Sequence, residues 1–212
     1  MDQRLKKWLR WLQVIHDEVQ QMLIARDIFW SVQKLIRENQ KIQKPSSFYK
    51  YLGDTYISHV LIGIRRQIKI DNESISLSRL LIEISKTPEI LSRKYYTELY
   101  SGSVVADKAD RDFNKFCEAK GMTHISEKMV LRDHKELSNK ARNCENFADR
   151  RIAHRDKRVP DHPLTFNEVD ETVDFLDKLY VKYHLIFHAA SMSTLMPTYQ
   201  YDWQEIFDYP WR

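Results

Sequence analysis

A histidine surrounded by arginines occupies residues 149–158, which read Asp-Arg-Arg-Ile-Ala-His-Arg-Asp-Lys-Arg. On an α-helix, residues four apart share a face, so Arg150 and His154 would lie side by side with Arg151 also in reach. Histidine exchanges a proton near neutral pH, and a guanidinium binds phosphate through paired hydrogen bonds. Together they are a minimal set for metal-independent RNA cleavage, in which a 2′-OH attacks the adjacent phosphate. The same pattern also fits a solvated, salt-bridged helix end.

A second cluster lies earlier in the chain, where His59, Gly63 and Arg66 fall on one stripe of a helix. A glycine inside a helix costs about 1 kcal/mol relative to alanine, so Gly63 suggests close approach of another helix or of a ligand. A buried arginine is rare unless it is paired. The candidate partners of Arg66 are three carboxylates: Asp71, Asp149 and Asp156. A purely structural ion pair is the alternative to a functional role.

The remaining chemistry-bearing residues do not predict a metal site or a cofactor. His184 and His188 lie four apart but lack the third ligand and the acid that a zinc site normally has. Three carboxylates share one face of the same predicted helix: Asp170, Asp174 and Asp177. They are more typical of a solvated acidic face than of a divalent-metal site.

The elements that carry these residues are predicted to be long helices. The 212 residues include only 4 Gly and 6 Pro, where average usage is roughly 12% for the two together. Tight turns and hairpins consume these residues, so β-sandwiches, β-barrels and most nucleotide-binding α/β folds are disfavoured. GxGxxG and GxxxxGK[ST] motifs are missing from the sequence. We expect an all-α helical bundle of about six to eight helices.

Apolar spacing and breakers place the helices along the chain. The predicted segments are 3–42 as one bent helix or two, 47–69, a short helix from 77 that ends at Pro88, 126–157, and a last helix capped by Thr165 that runs to 196. The stretch 111–120 is expected to form one short helix within a less regular excursion. We therefore predict a single all-α domain over 1–212. It comprises an N-terminal helical segment (1–45), a core (46–196) with a helical excursion (about 89–125), and an aromatic tail (197–212).

Charge and composition limit the partners and the compartment. The net charge is +4, but residues 159–212 carry −6, which leaves +10 on the rest. A basic body can bind a polyanion, although a mixed solvated surface is equally compatible. The sequence shows no long apolar run or signal peptide, and nothing marks Cys117 and Cys144 as a disulfide pair. A cytoplasmic protein that does not bind a membrane is expected.

The C-terminal tail is rich in aromatic side chains, with six of them between Tyr199 and Trp211. Such a segment either docks on its own domain or forms a contact surface for a partner or a second copy, since aromatic residues are enriched at interfaces.

Two stretches of the chain resemble the HEPN superfamily, and are most similar to its AbiU branch, which is named after abortive phage infection. They are Tyr56–Arg66 with Asp71 and Ser74–Leu81, and Asp149–Asp156 with Pro160 and the capped helix that follows. The resemblance covers residues 47 to about 187. It implies a four- to five-helix core and a homodimer with its active sites at the interface. It further implies metal-independent endoribonuclease activity in catalytic members, and a place in phage defence or in toxin–antitoxin pairs, with a possible antitoxin partner.

The resemblance also implies roles for individual residues. The family motif is an arginine followed, after four to six residues, by a histidine, and His154 matches that histidine. The arginine would stand at 147–149, where this chain has Phe-Ala-Asp. The nearest candidates are Arg150 and Arg151, and Arg66 is the alternative from a different backbone position. The predicted set is His154 and Arg150 as catalytic residues, Arg151, Arg155, Arg66 and His59 as binders of phosphate or RNA, and Asp149 and Asp71 as supporting residues. The alternative is a non-catalytic helical module that binds a nucleotide, RNA or a protein.

Overall fold

The computed structural model describes residues 2–153 and 163–209. Within these ranges the chain forms seven α-helices and no β-strand, which confirms the predicted all-α bundle. The helices are α1 (Gln3–Glu38), α2 (Ser47–Ile68), α3 (Leu77–Lys86), α4 (Arg93–Glu98), α5 (Ala109–Phe113), α6 (Glu127–Phe147) and α7 (Phe166–His188).

The helix starts follow from side-chain caps in the sequence. Ser46, Ser76 and Ser126 precede α2, α3 and α6 in extended conformation, and each serine oxygen accepts a hydrogen bond from a backbone N–H of the first turn. Thr165 and Glu168 form the predicted capping box at α7, with Glu168 N–H donating to Thr165 Oγ1 at 3.2 Å and Thr165 N–H to Glu168 Oε2 at 2.9 Å. These caps satisfy backbone donors that the helices themselves leave unpaired.

The core is formed mainly by α1, α2, α6 and α7, with α3 packed on α6. Helix α1 is one continuous helix, because Gln3–Glu38 contains neither Gly nor Pro. Its buried face includes Trp8, Ile15 and Val19, each with no exposed surface. Helix α2 lies at the centre of the bundle, where it contacts α1, α3, α6 and α7.

The excursion between α3 and α6 differs from the prediction. The expected helix over 111–120 is wrong, since α5 ends at Phe113 and a short 3₁₀ turn, Asn114–Phe116, follows. The tighter turn buries Phe113 and Phe116 together, and both rings pack on that of Tyr96. Hydrophobic packing of two nearby rings thus decides the local backbone here.

The last long helix also ends earlier than predicted. Helix α7 ends at His188, and Ala189 adopts a left-handed conformation with φ of 51°. The chain then folds back, because the buried Asp177 carboxylate accepts hydrogen bonds from Leu195 N–H at 2.8 Å and from Thr194 Oγ1 at 2.6 Å. Sequence spacing predicted a helix to 196 because no Gly or Pro marks this turn.

The aromatic tail docks only in part. The Tyr199 hydroxyl donates to Asp27 of α1 at 3.1 Å, and the Trp203 ring contacts those of Tyr199 and Phe207 edge-on. Tyr201 and Tyr209 remain exposed. Trp211 lies outside the described residues.

Gly63 lets α2 pack tightly against the Met22 side chain of α1. A Cβ added there would lie 2.6 Å from the Sδ and 2.9 Å from the Cγ of Met22, whose side chain is buried in the core. This confirms the prediction that Gly63 permits close approach of another helix. A Cβ added at Gly53 of the same helix would have no neighbouring atom within 4 Å.

The two glycines provide a matched test of this contact. We expect Gly63→Ala to lower the free energy of unfolding by about 1–3 kcal/mol, because the methyl group displaces Met22 in a packed core. Gly53→Ala should raise it by up to about 1 kcal/mol, since alanine restricts the unfolded chain. Urea denaturation of the wild type and both variants measures the difference. Equal stabilisation by both substitutions would contradict the close contact.

A carboxylate joins α3 to the start of α1. Glu83 Oε2 accepts a hydrogen bond from Trp8 Nε1 at 2.8 Å. It also forms an ion pair with Lys7 Nζ at 2.6 Å. Partial burial raises the pKa of Glu83, but the hydrogen bonds from Lys7 and Trp8 outweigh burial and hold it below its ordinary value. The group therefore stabilises the fold when it is ionised.

This cluster predicts a pH-dependent contribution to stability. Since the folded pKa of Glu83 is lowered, its contribution is present above its unfolded pKa and is lost as the pH falls through the folded value. We expect Glu83→Gln to be less stable than the wild type by about 1 kcal/mol at pH 7, with the gap closing at acid pH. Thermal unfolding from pH 7 to pH 3 measures it. Glu136→Gln, at an exposed position on α6, should show no such gap.

Candidate functional site

The first sequence cluster begins in a π turn at the end of α6, Ala148–Ala153. The predicted long helix is thus continuous as far as the structure describes it, from Glu127 to Ala153, but its last six described residues are π-helical and not α-helical. In a π-helix the hydrogen bond runs to the fifth residue, so each turn is wider than in an α-helix and the side chains are spaced differently around it. Asp149 and Arg150 are half-buried and Arg151 is exposed. The last five residues of the cluster (154–158) lie outside the described ranges, among them His154, Arg155 and Asp156.

An ion pair attaches the π turn to α2. Arg65 Nε donates to Asp149 Oδ1, and the two side chains keep 27% and 41% of their surface exposed. The sequence pointed to Arg66 as one possible partner of Asp149, and the structure corrects this to Arg65. The sequence placed Arg65 in the Tyr56–Arg66 stretch that resembles the HEPN superfamily but gave it no role of its own. No local signal could identify the pairing, because the two residues are 84 positions apart.

Arg66 leaves α2 in a different direction, because consecutive helical residues differ by about 100° around the axis. It donates to Glu18 of α1 at 3.4 Å, and this carboxylate also accepts from Gln67 Nε2 at 2.6 Å. The buried Gln67 in turn accepts from the backbone N–H of Leu77 at 3.1 Å. Three successive side chains thus fix the end of α2 to the π turn, to α1 and to the start of α3.

The predicted supporting residue Asp71 bonds within its own turn and not to Arg66. Its carboxylate accepts from the Ser74 hydroxyl at 2.7 Å and from the Glu73 N–H at 3.1 Å, which closes the exposed turn after α2. The hydrogen bond from Ser74 is the main cause that lowers its pKa. Within the described ranges, no ion pair joins Asp71 to Arg66, and the predicted pairing across the helix end is wrong.

The second sequence cluster lines a groove between α1 and α2 with a volume of about 730 Å³. His59, Gly63 and Arg66 all contribute to it, as their common stripe predicted. His59 is exposed, and the Arg66 side chain keeps 63% of its surface exposed. Whether these two side chains bind phosphate stays a prediction.

The π turn presents arginine side chains beside the Arg65–Asp149 pair. In the described part of the chain, the half-buried Arg150 forms no hydrogen bond or ion pair with another side chain or the backbone. A guanidinium without a carboxylate partner is available to an anion, and phosphate matches its fork of donors. The arrangement can therefore bind a phosphodiester.

The positions at which the family motif places its arginine have other functions here. Phe147 packs against the hydrophobic core, Ala148 is fully buried, and Asp149 carries the opposite charge and binds Arg65. An arginine from the π turn would have to come from Arg150 or Arg151.

The three carboxylates on this face of α7 all have partners within the protein, and only Asp174 is exposed. Asp170 accepts from Trp30 Nε1 at 2.7 Å and from the Tyr56 hydroxyl at 2.5 Å, and Asp174 pairs with Arg26 at 2.6 Å. Asp177, as described above, anchors the returning chain. Within residues 2–153 and 163–209, no three His, Cys, Asp or Glu side chains converge as a metal ion would require.

The described part of the chain is an all-α bundle, and comparison with known families shows which family the chain belongs to. The chain belongs to the AbiU2 family of HEPN domains, whose model matches residues 5–206. The resemblance stated from the two sequence stretches is thereby confirmed, and the protein is a HEPN-like protein of the abortive-infection type.

Other comparisons add no relatives. No curated protein and no solved structure matches the chain. Among the described helices, none combines the length and apolar character needed to cross a membrane.

The Arg65–Asp149 pair predicts a measurable coupling. In a double-mutant cycle with Arg65→Ala and Asp149→Ala, we expect a coupling free energy of about 1 kcal/mol, because both groups are partly shielded from water. The exposed Lys50–Asp54 pair, at 2.5 Å within α2, is the control and should give less than about 0.5 kcal/mol. Urea denaturation supplies all values. A coupling near zero for the first pair would show that it does not hold the π turn.

Proposed function

We propose that this protein is a metal-independent endoribonuclease whose site lies at and just beyond the π turn of α6. His154 acts as the general acid or base, and Arg150 holds the scissile phosphate. Arg151 and Arg155 bind neighbouring phosphates, and Asp149 supports the site through its pair with Arg65. The protein acts in phage defence or in a toxin–antitoxin pair, as a cytoplasmic homodimer with a possible antitoxin partner.

The observation that carries the proposal is the half-buried Arg150 without a carboxylate partner in the described residues, held in a π turn four residues before His154. π turns are frequent at functional sites. Asp149, the acid next to Arg150 in the sequence, already pairs with the guanidinium of Arg65. Arg150 is therefore left to bind a phosphate. Family membership adds that the chain has the fold on which this chemistry is expected.

In this chemistry His154 makes one of the two proton transfers, and water makes the other. A general base removes the proton from a 2′-OH, the resulting oxyanion attacks the adjacent phosphorus, and a general acid protonates the departing 5′-oxygen. The arginine stabilises the charge that develops on the phosphate oxygens in the transition state. A 2′,3′-cyclic phosphate and a 5′-hydroxyl are the expected ends.

A second candidate function is a non-catalytic module that binds RNA, a nucleotide or a protein. It is favoured by one observation: Phe147, Ala148 and Asp149 occupy the positions of the motif arginine, and two of them are committed to the core. In this reading the same arginines bind phosphate but no bond is broken.

One experiment separates the two functions. Purified protein is incubated with total RNA in EDTA, beside His154→Ala and Arg150→Ala. If the protein is a nuclease, we expect cleavage to fall by about 10²–10⁴-fold without the histidine. Loss of the arginine should cost a comparable factor.

Matched controls come from the same helix. His134→Ala and Arg142→Ala remove the same residue types from α6 outside the turn and should leave cleavage unchanged. Intact RNA with wild-type protein, together with salt-dependent RNA binding that Arg150→Ala weakens, would support the binding module instead. Cleavage that His154→Ala does not reduce would overturn the assignment of this histidine.

A further inference from the structure

The groove between α1 and α2 extends along most of α2. A smaller apolar cavity of about 210 Å³ continues it toward the start of α2, and the two share Thr55 and His59. The smaller cavity is lined otherwise by apolar and aromatic side chains: Ala25, Ile28, Phe29, Val32, Leu52 and Tyr56. From Tyr51 to Arg66 the combined groove is about 22 Å long, at 1.5 Å per helical residue.

The floor of the groove is apolar and its edges are acidic. Met22 and Ile62 lie on the floor, beside Gly63. Asp17 on α1 and Asp54 on α2 line the two sides, with 66% and 65% of their side-chain surface exposed. A third carboxylate, Glu18, lies beside Arg66, so acids outnumber the one arginine in the lining. This charge is opposite to the +4 of the whole chain.

The carboxylates at the edges remain available to a partner. Asp17 is bound by His16 at 2.9 Å, and Asp54 by Lys50 at 2.5 Å. Both pairs are local contacts on the protein surface, and such pairs contribute only about 0–1 kcal/mol. An incoming lysine or arginine can therefore replace or join them at little cost.

The walls determine the backbone conformation of an occupant. Both walls are α-helices, whose backbone groups are already paired within each helix. They offer no free N–H or C=O row to an extended peptide, so a strand would leave its own backbone unpaired against apolar side chains. A helix satisfies its own backbone, and amphipathic helices commonly bind in hydrophobic grooves.

From these observations we infer that the α1–α2 groove is a docking site for an amphipathic helix of a partner protein, with an apolar face flanked by lysine or arginine. The partner helix has about 15 residues in contact, with its apolar side chains on Ile62 and Ile28 and its basic side chains beside Asp17 and Asp54. This site is separate from the π turn, and its existence does not depend on the ribonuclease proposal.

The test uses two synthetic helical peptides that share one leucine face and differ only in flanking residues, lysine in one and glutamate in the other. Binding to the full-length protein is measured by isothermal titration calorimetry. We expect the lysine peptide to bind at least about tenfold more tightly, with an advantage that shrinks as salt is raised. Equal affinities would overturn the proposal.

Substitutions in the groove locate the binding. The pair Asp17→Lys and Asp54→Lys should reverse the preference between the peptides, whereas the equally charged pair Asp107→Lys and Glu136→Lys, at exposed sites elsewhere, should not. Thr55→Trp fills the region where the cavities meet and should abolish binding, with Lys135→Trp on α6 as the steric control. Circular dichroism verifies that each variant is folded. Binding that survives Thr55→Trp would overturn the site.

A second copy of the chain is the competing occupant, and light scattering distinguishes it. If the protein is a dimer that Thr55→Trp converts to a monomer, the groove is covered by the chain itself and the proposal fails. A monomer, or a dimer that Thr55→Trp leaves intact, together with selective binding of the lysine peptide, supports it.

Discussion

The end of α2 is the constraint on which the rest of the arrangement depends. Arg65, Arg66 and Gln67 are consecutive, so the helix directs them around its axis toward three different neighbours. Arg65 holds the π turn through Asp149, while Arg66 and Gln67 converge on Glu18 of α1. Gln67 also accepts a hydrogen bond from the backbone N–H of Leu77, the first residue of α3. Ion pairs of this exposure are individually weak, and their importance here is positional, since they fix where the arginines of the turn lie.

Two surfaces with opposite charge result from this arrangement. On one side of α2 lies the arginine-bearing turn, which suits a phosphodiester. On the other side α1 and α2 approach closely at Gly63, and the groove above this contact carries carboxylates at its edges. One helix therefore separates the region proposed to bind a polyanion from the region proposed to bind a basic helix. His59 and Arg66, which the sequence suggested as phosphate binders, lie on the acidic side.

Several carboxylates that are buried or partly buried connect distant parts of the chain through hydrogen bonds and ion pairs. Asp133 is buried and accepts from Lys182 Nζ at 2.6 Å and from the Tyr183 hydroxyl at 2.9 Å, and burial beside this carboxylate raises the pKa of Tyr183 well above its ordinary value. Asp170 and Asp177 fulfil similar roles on α7. On sequence alone these α7 acids resembled a solvated face, because their donors come from distant residues. A buried carboxylate requires partners, and only the packed fold shows whether it has them.

The amino-acid sequence by itself determined the helical class, the capped starts of α2, α3 and α7, and the stripe that places His59, Gly63 and Arg66 on one face. These features depend on interactions within a few residues, which spacing and residue type reveal. The tertiary structure decided the end of α7, the short turn after α5, the π turn and the pairing of Arg65 with Asp149. Each of these depends on a contact between distant parts of the chain, such as Leu195 with Asp177 or Phe113 with Tyr96. Such contacts override the local preference for helix. Burying an apolar side chain or pairing a buried carboxylate stabilises the fold more than one additional turn of helix would.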